Sequence, residues 1–468
     1  MKLQLFKMTL AVIMVFAVLA GCSGNGNNGN NGNNGKGGNT GATDNAGGNS
    51  DGESAQKEEP VTLRVSFFQG GYGDSWFVWL KEQFEQQYEH VTIELEGNPK
   101  MNEIIQPRME SGTNVPDIVF VDDSLMRKWG PAGLLTDITD LYQEPLADGK
   151  TIAGTITDST DNAMDVFGKR YGVPWTKLTQ GIIYNVKMFE ENGWTYPETW
   201  EEMEELVEQI KAKGIAPFTY PGQYPMYLFP FGHAAYLQYG GPEFIEKLTN
   251  PSEEDIPSLY EHAGFKRAYG LLEQMIQEDW MLKGTLALNH TESQMEFLRG
   301  KAAMILNGEW LENEMKDALP EGFSMRMMPI PPAADAVVKE PVIESLTSGF
   351  GGIPSASKHQ EWAKKFLLFT STEEANRKFT ELTGSSRAFT YSVDGLPISD
   401  FTKSVLEATN TYKTIALVYK PQALEESPGI DAYSAIASGS KTVDEVVEAN
   451  MKLSPDKWKE KQKLLNTQ

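Results

Sequence analysis

The sequence predicts an α/β body of two domains, on two observations: strand and helix patterns alternate in order, and the chain is too long for one core. Pro60 to Gln468 comprises 409 residues, more than a single hydrophobic core usually organises. Val61 to Phe68 alternates as a strand does, and after a Gly-rich turn Trp76, Phe77, Leu80 and Phe84 recur at helical spacing. Val91, Ile93 and Leu95 alternate again, and Ile118 to Val121 is a continuous apolar run that suits a strand buried on both faces. Strand, helix, strand, helix, strand opens a parallel sheet.

A second set starts near Gly181, where Ile182, Ile183 and Tyr184 predict a short strand before a helix that ends around Gly193. Thr199 and Glu202 have the spacing of a capping box, Met203, Leu206, Val207 and Ile210 give the next helix its buried face, and Gly214 stops it. Thr291 with Gln294, Ser371 with Glu374 and Thr442 with Glu445 repeat the cap spacing. No internal repeat and no heptad run interrupts this pattern.

Ahead of the body lie segments of another kind. Lys2 and Lys7 flank an apolar run from Met8 to Ala20, short for a membrane span and suited to the core of a signal peptide, residues 1–21. Leu19-Ala20-Gly21-Cys22 resembles the bacterial lipobox, which implies cleavage before Cys22 and lipid on its sulfur. Cys22 is the only cysteine, so a disulfide within the chain is excluded. Gly and Asn make up 20 of the 28 residues from Ser23 to Ser50, a composition with nothing to bury; residues 22–59 read as a tether. The formal charge is −24, which opposes binding to nucleic acid and to anionic lipid.

Four stretches of the body resemble the extracellular solute-binding proteins, family 1, of bacterial ABC sugar importers, similar in plan to maltose-binding protein. They are Pro116-Asp117-Ile118-Val119 with Gly133 to Ile138; Tyr171-Gly172-Val173-Pro174-Trp175 through Tyr184-Asn185 to Trp200; Phe297 and Gly300 to Met304 with Asn307-Gly308-Glu309-Trp310; and Gly349-Phe350-Gly351-Gly352-Ile353-Pro354 into Thr370. The resemblance implies two α/β lobes, each a mostly parallel sheet flanked by helices, with a ligand cleft between them. It implies an N-terminal lobe of residues 60–176 plus about 346–388 and a C-terminal lobe of 177–345 plus about 389–468. The chain then crosses between lobes near Trp175 to Gln180, near Ile343 to Phe350 and near Ser385 to Phe389. The implied function is to bind a carbohydrate, an oligosaccharide by preference, outside the cell and deliver it to the permease of the importer. The implied protein is a monomer without cofactor or metal, held to the outer membrane face through Cys22.

A sugar ring has apolar C–H faces and a girdle of hydroxyls, so its receptor needs flat aromatic platforms and planar polar groups. Trp310, after an Asn-Gly turn, matches the family's stacking tryptophan. Trp175, beside the first crossing, is open to two readings, stacking on ligand or packing at the hinge, and Lys177 and Gln180 follow on the same segment. Gln69, Tyr72 and Asp74 sit in the loop after the first strand, where open α/β sheets hold ligands. Of Asp122 and Asp123, one is expected at the cleft, with Asp122 the candidate, and the other as a helix cap. Tyr220 leads an aromatic, Pro-containing stretch with Tyr224, Tyr227 and Phe229 that reads equally as cleft wall or packed loop. Glu344, Phe350 and Arg387 fall near the later crossings. Met325, Met327 and Met328 read as core filling.

The rival reading is a surface-anchored glycoside hydrolase, which needs only two well-placed carboxylates among the 65 acidic residues. Other chemistries find no footing. His90, His233, His262, His290 and His359 lack zinc-site spacing, and the Gly48-Asn49-Ser50-Asp51-Gly52 match to a hydrolase elbow has no strand before it.

Overall fold

The computed structural model describes residues 59–420, 423–424 and 431–465; the expected signal peptide, Cys22 and nearly all of the tether lie outside them. Twelve strands appear among the described residues. In chain order they are β1 Val61–Phe68, β2 Val91–Asn98, β3 Ile118–Val121, β4 Asp165–Val166, β5 Lys169–Arg170, β6 Gly172–Asn185, β7 Ala216–Thr219, β8 Ala302–Gly308, β9 Met325–Met328, β10 Val342–Gly352, β11 Ser386–Arg387 and β12 Lys413–Ile415. The hairpin β4–β5 stands alone; the other ten strands form one sheet whose main path runs β2-β1-β3-β10-β6-β8-β7.

That sheet is parallel on its flanks and antiparallel in its middle. β1 pairs in parallel with β2 and β3, and β7 with β8, as the strand and helix alternation predicts. β10 runs antiparallel to both β3 and β6, and β6 antiparallel to β8. The expected short strand at Ile182–Tyr184 is the far end of the 14-residue β6. Sequence patterning divides this strand because Thr176 to Gln180 is polar; in the fold that polar stretch pairs with Ser345–Ser348 of β10, so the backbone stays saturated although the apolar pattern lapses.

β6 and β10 link two cores. One gathers β1, β2, β3, Trp175, Phe350 and the helix Gln360–Thr370. The other gathers Ile182, Phe218, Leu306, Val342 and the helices Trp200–Ala212, Phe229–Thr249 and Ala263–Gln277, with a satellite of Ile183, Ile305, Met325, Met327 and Phe401 beside it. The molecule is thus a two-lobed α/β fold. Met325 and Met327 fill core as expected.

Local chemistry explains the helix ends. Trp200–Ala212 buries Met203, Leu206, Val207 and Ile210, Thr199 accepts from the Glu202 backbone N–H at 3.2 Å, and Gly214 leaves the helix at φ 72°. The return arm of that capping box goes instead to the Glu198 N–H. Thr442 and Glu445 cap each other as expected. Two cap expectations need correction. Asn289, not Thr291, caps His290–Leu298, closing a box with Glu292; Thr372, not Ser371, caps Glu373–Thr383. After β7 the chain loops through Tyr220 to Tyr224 and makes a short 3-10 turn at Pro225–Leu228; Phe229 then begins the helical run Phe229–Thr249, which breaks at Gly241 (φ 74°), with Pro230 in its first turn where the missing N–H has no helical partner to lose. Among the described residues no helix is long and apolar enough to cross a membrane.

Candidate functional site

The loop after β1 and the turn after β8 come from different cores and meet. Asn313 Nδ2 donates to the Gly71 carbonyl at 2.6 Å. The Trp310 ring packs against two glycines: a Cβ at Gly71 would stand 2.8 Å from Trp310 Cδ1, and one at Gly308 would stand 2.0 Å from Cζ3. Any side chain at either position displaces the indole.

Trp310 belongs to a chain of aromatic rings that runs from one core to the other. Tyr72 lies 6.4 Å from Trp175 and 6.4 Å from Trp310, edge to face in both cases. Trp310 lies 6.1 Å from Tyr227; Tyr227 is 5.3 Å from His290, which stacks on Tyr224 at 3.9 Å. These rings come from the β1 loop, β6, the β8 turn, the turn before Phe229 and the helix His290–Leu298. Folding therefore builds a continuous wall from residues up to 238 positions apart (Tyr72 to Trp310).

Polar groups gather at the inner end of the wall. Glu309 is 1% exposed; its Oε1 accepts from the Ser386 N–H at 3.3 Å, and its Oε2 is buried with no hydrogen bond. Burial pushes its carboxyl well above the usual range, a rise that Lys177 only partly offsets. Lys177 is half-buried, and burial draws its ammonium down against the opposing pull of Glu309. Trp175 Nε1 and Ser385 Oγ are also buried without a hydrogen bond. Burial, with Glu309 nearby, pushes the Tyr72 phenol well above its ordinary range. Buried polar atoms are nearly always paired in folded proteins, so this group marks a place built for donors and acceptors from elsewhere. At the outer end, burial lowers the His290 imidazole while Glu314 works against it.

Of the expected site residues, the fold brings Tyr72, Trp175, Lys177 and Trp310 together. Trp175 packs on Phe77 and Phe120 within the core and turns an edge to Tyr72. Gln69 and Asp74 bond one another at 3.2 Å across the β1 loop, at the rim. Gln180 is half-buried and pairs in register with Gly308. Other expectations are corrected. Asp122 is the helix cap, accepting from the Ser124 N–H at 2.9 Å, while Asp123 bonds Arg127 and reaches the Gly349 N–H. Tyr220 is fully buried in the second core. Glu344 is buried against His233, and Phe350 is fully buried in the first core. Arg387 is a packing post: it donates to Trp175 O, Thr370 O and Asn376 Oδ1 and lies 4.6 Å over the Trp76 ring. Strand alternation and core packing turn the side chains of Glu344, Phe350 and Arg387 inward.

The sequence reading missed Glu309 and His290 and left Tyr227 undecided. Glu309 carried one signal, a charged residue set directly between a buried strand and Trp310. His290 had none, because its partners are distant in the chain.

Comparison with known proteins agrees with this arrangement. Residues 71–377 match the family described as Bacterial extracellular solute-binding protein. The chain is 24% identical over 329 residues to the diacetylchitobiose binding protein NgcE of Streptomyces coelicolor, covering 68% of each chain. It is 26% identical over 382 residues to the multiple sugar-binding protein of Streptococcus mutans, covering 78% of this chain and 80% of that one. In fold it is similar to RafE in complex with raffinose, with a TM-score of 0.68 at 20% identity over 85% of this chain and 99% of the other. The family match spans both cores and the strands that link them, and this chain belongs to the bacterial extracellular solute-binding proteins.

Proposed function

We propose that the protein binds a carbohydrate, an oligosaccharide by preference, and hands it unchanged to the permease of an ABC importer. The observation that carries this reading is the wall of rings from Trp175 to Tyr224, with unpartnered polar atoms at its inner end. Aromatic faces cover the C–H faces of sugar rings, and unpaired acceptors and donors take hydroxyls. Relatives named for diacetylchitobiose and for multiple sugars support the same class. In this reading the lobes comprise residues 60–176 with about 346–388 and 177–345 with about 389–468, and ligand held by both favours the closed form that a permease recognises. The protein acts as a monomer outside the cell, retained by lipid on Cys22.

A thermal-shift screen of the purified protein against mono- and oligosaccharides, with amino acids and polyols as controls, tests the ligand class. A bound sugar raises the melting temperature because it prefers the folded state. Recovery of the sugar intact supports capture; shortened products would establish the glycoside hydrolase instead. Labelled fatty acid should enter the wild-type protein in a bacterial host and not the Cys22→Ala variant.

A further inference from the structure

The helix Val443–Leu465 reverses its charge along its length. Val443 to Met451 holds Asp444, Glu445 and Glu448 and no basic residue, whereas Lys452 to Lys463 holds five lysines against two acids, in a chain with 65 acidic residues to 41 basic ones. One stripe at helical spacing faces inward: Val447, Asn450 and Ser454 are buried, and Met451, Trp458 and Lys461 are half-buried. Lys461 Nζ donates to the Ala423 carbonyl, which ties the helix to a separate segment. The outward stripe carries Lys452, Asp456, Lys459 and Lys463, all exposed. Lys420, also exposed, stands at the same end, since its carbonyl accepts from the Ala423 N–H at 2.9 Å.

Neither the helix dipole nor local pairing accounts for this end. The dipole favours cations only within the last turn, and Lys452 and Lys459 lie before it. Lys457 bonds Glu460 at 3.2 Å, but among the described residues no ion pair holds Lys420, Lys452, Lys459 or Lys463. Clusters of about four to eight such cations are the size that holds a protein to charged lipid. The acidic remainder of the body does not cancel them, because exposed charges more than about 8 Å apart are largely screened at physiological ionic strength.

Resting on the reading of Cys22 as a lipid anchor, we infer that the Lys452 to Lys463 end of this helix, with Lys420 beside it, docks on anionic phospholipid headgroups, so that the anchored protein meets the membrane by one face. Charge and placement together name the occupant. A body held by lipid stays beside a bilayer, where contacts too weak to recruit a protein from solution form at high effective concentration. The patch shares no residue with the ring wall, so the sugar site is not part of the contact.

Vesicle flotation of the full mature chain carrying Cys22→Ala, which has no lipid of its own, tests this. It should float with equimolar phosphatidylcholine and phosphatidylglycerol vesicles at low salt, be released as salt rises, and stay behind with phosphatidylcholine alone. Lys452→Glu, Lys459→Glu and Lys463→Glu together should reduce binding at least tenfold, and the matching glutamines should reduce it less. The same reversal at the exposed Lys213, Lys283 and Lys301 should leave binding near the unreversed level; circular dichroism melts verify folding. No flotation with the charged vesicles, unchanged binding in the folded triple variants, or an equal loss in the control would each overturn the docking face. Binding of inorganic polyphosphate without binding of charged vesicles would overturn it too, assigning the lysines to a soluble polyanion. Absence of labelled fatty acid from the wild-type protein would overturn the anchor instead, and flotation would still read the face by itself.

Discussion

Trp310 shows how a residue acquires a role from its neighbours. The indole is half-buried, fitted between Gly71 and Gly308 and edge-on to Tyr72 and Tyr227. Trp310→Ala is expected to weaken sugar binding by about 1–3 kcal/mol while leaving the melting curve of the free protein nearly unchanged, since the loss is contact area at a surface shared with ligand. Gly71→Val should act on the same ring from outside, displacing it and weakening binding with the tryptophan itself intact; titration calorimetry reads both. Glu309 makes a different prediction. Its carboxyl is raised in the folded state, so in the pH window above the ordinary carboxylate range the folded protein holds a proton that the unfolded chain has released. Stability then falls as pH rises through that window and is fullest below it. Urea melts across the window should show this slope in the wild-type protein and a flatter profile in Glu309→Gln.

Among the elements, caps and strand pairing decide where the sequence pattern is realised. The helix His290–Leu298 begins one signal earlier than its Thr291 and Gln294 suggest, because Asn289 accepts from the Glu292 N–H at 3.0 Å and Glu292 returns the bond at 2.9 Å. Asn289→Ala should cost about 1 kcal/mol in denaturant melts, whereas Thr291→Ala, exposed on the helix, should cost almost nothing. The opening strands and helices were legible because their apolar spacing is periodic and their partners are close in sequence. β6 was legible only at its end, because its polar half is stabilised by β10, more than 160 residues away (Thr179 to Ser345). Gly349 has φ 70°, and a Cβ there would stand 2.9 Å from Trp175, so glycine both permits this backbone and leaves the ring its room.

At the scale of the whole molecule, two cores are joined by long strands and touch again at the mouth between them. The bond from Asn313 to Gly71 is a direct tie between the sides. Asn313→Ala should remove about 1 kcal/mol of that tie, roughly a fivefold shift toward separated lobes. Small-angle scattering should register it as a larger radius of gyration in the free protein, returning to the wild-type value at saturating sugar. Such a response belongs to lobes that move as packed bodies about a few linking residues.

Local periodicity was enough to read the α/β class and the first three strands with their helices, and a short motif resembling the family's pointed to Trp310 as the leading aromatic. Tertiary structure alone decided which polar residues meet. Tyr72, Lys177, Glu309 and Ser385 lie on four separate segments, and only the pairing of β6 with β8, β10 and β11 brings them to one place. The same pairing sent Glu344, Phe350 and Arg387 into packing roles. Strand alternation turns neighbouring side chains to opposite faces, and which face meets the cleft depends on partners more than a hundred residues away.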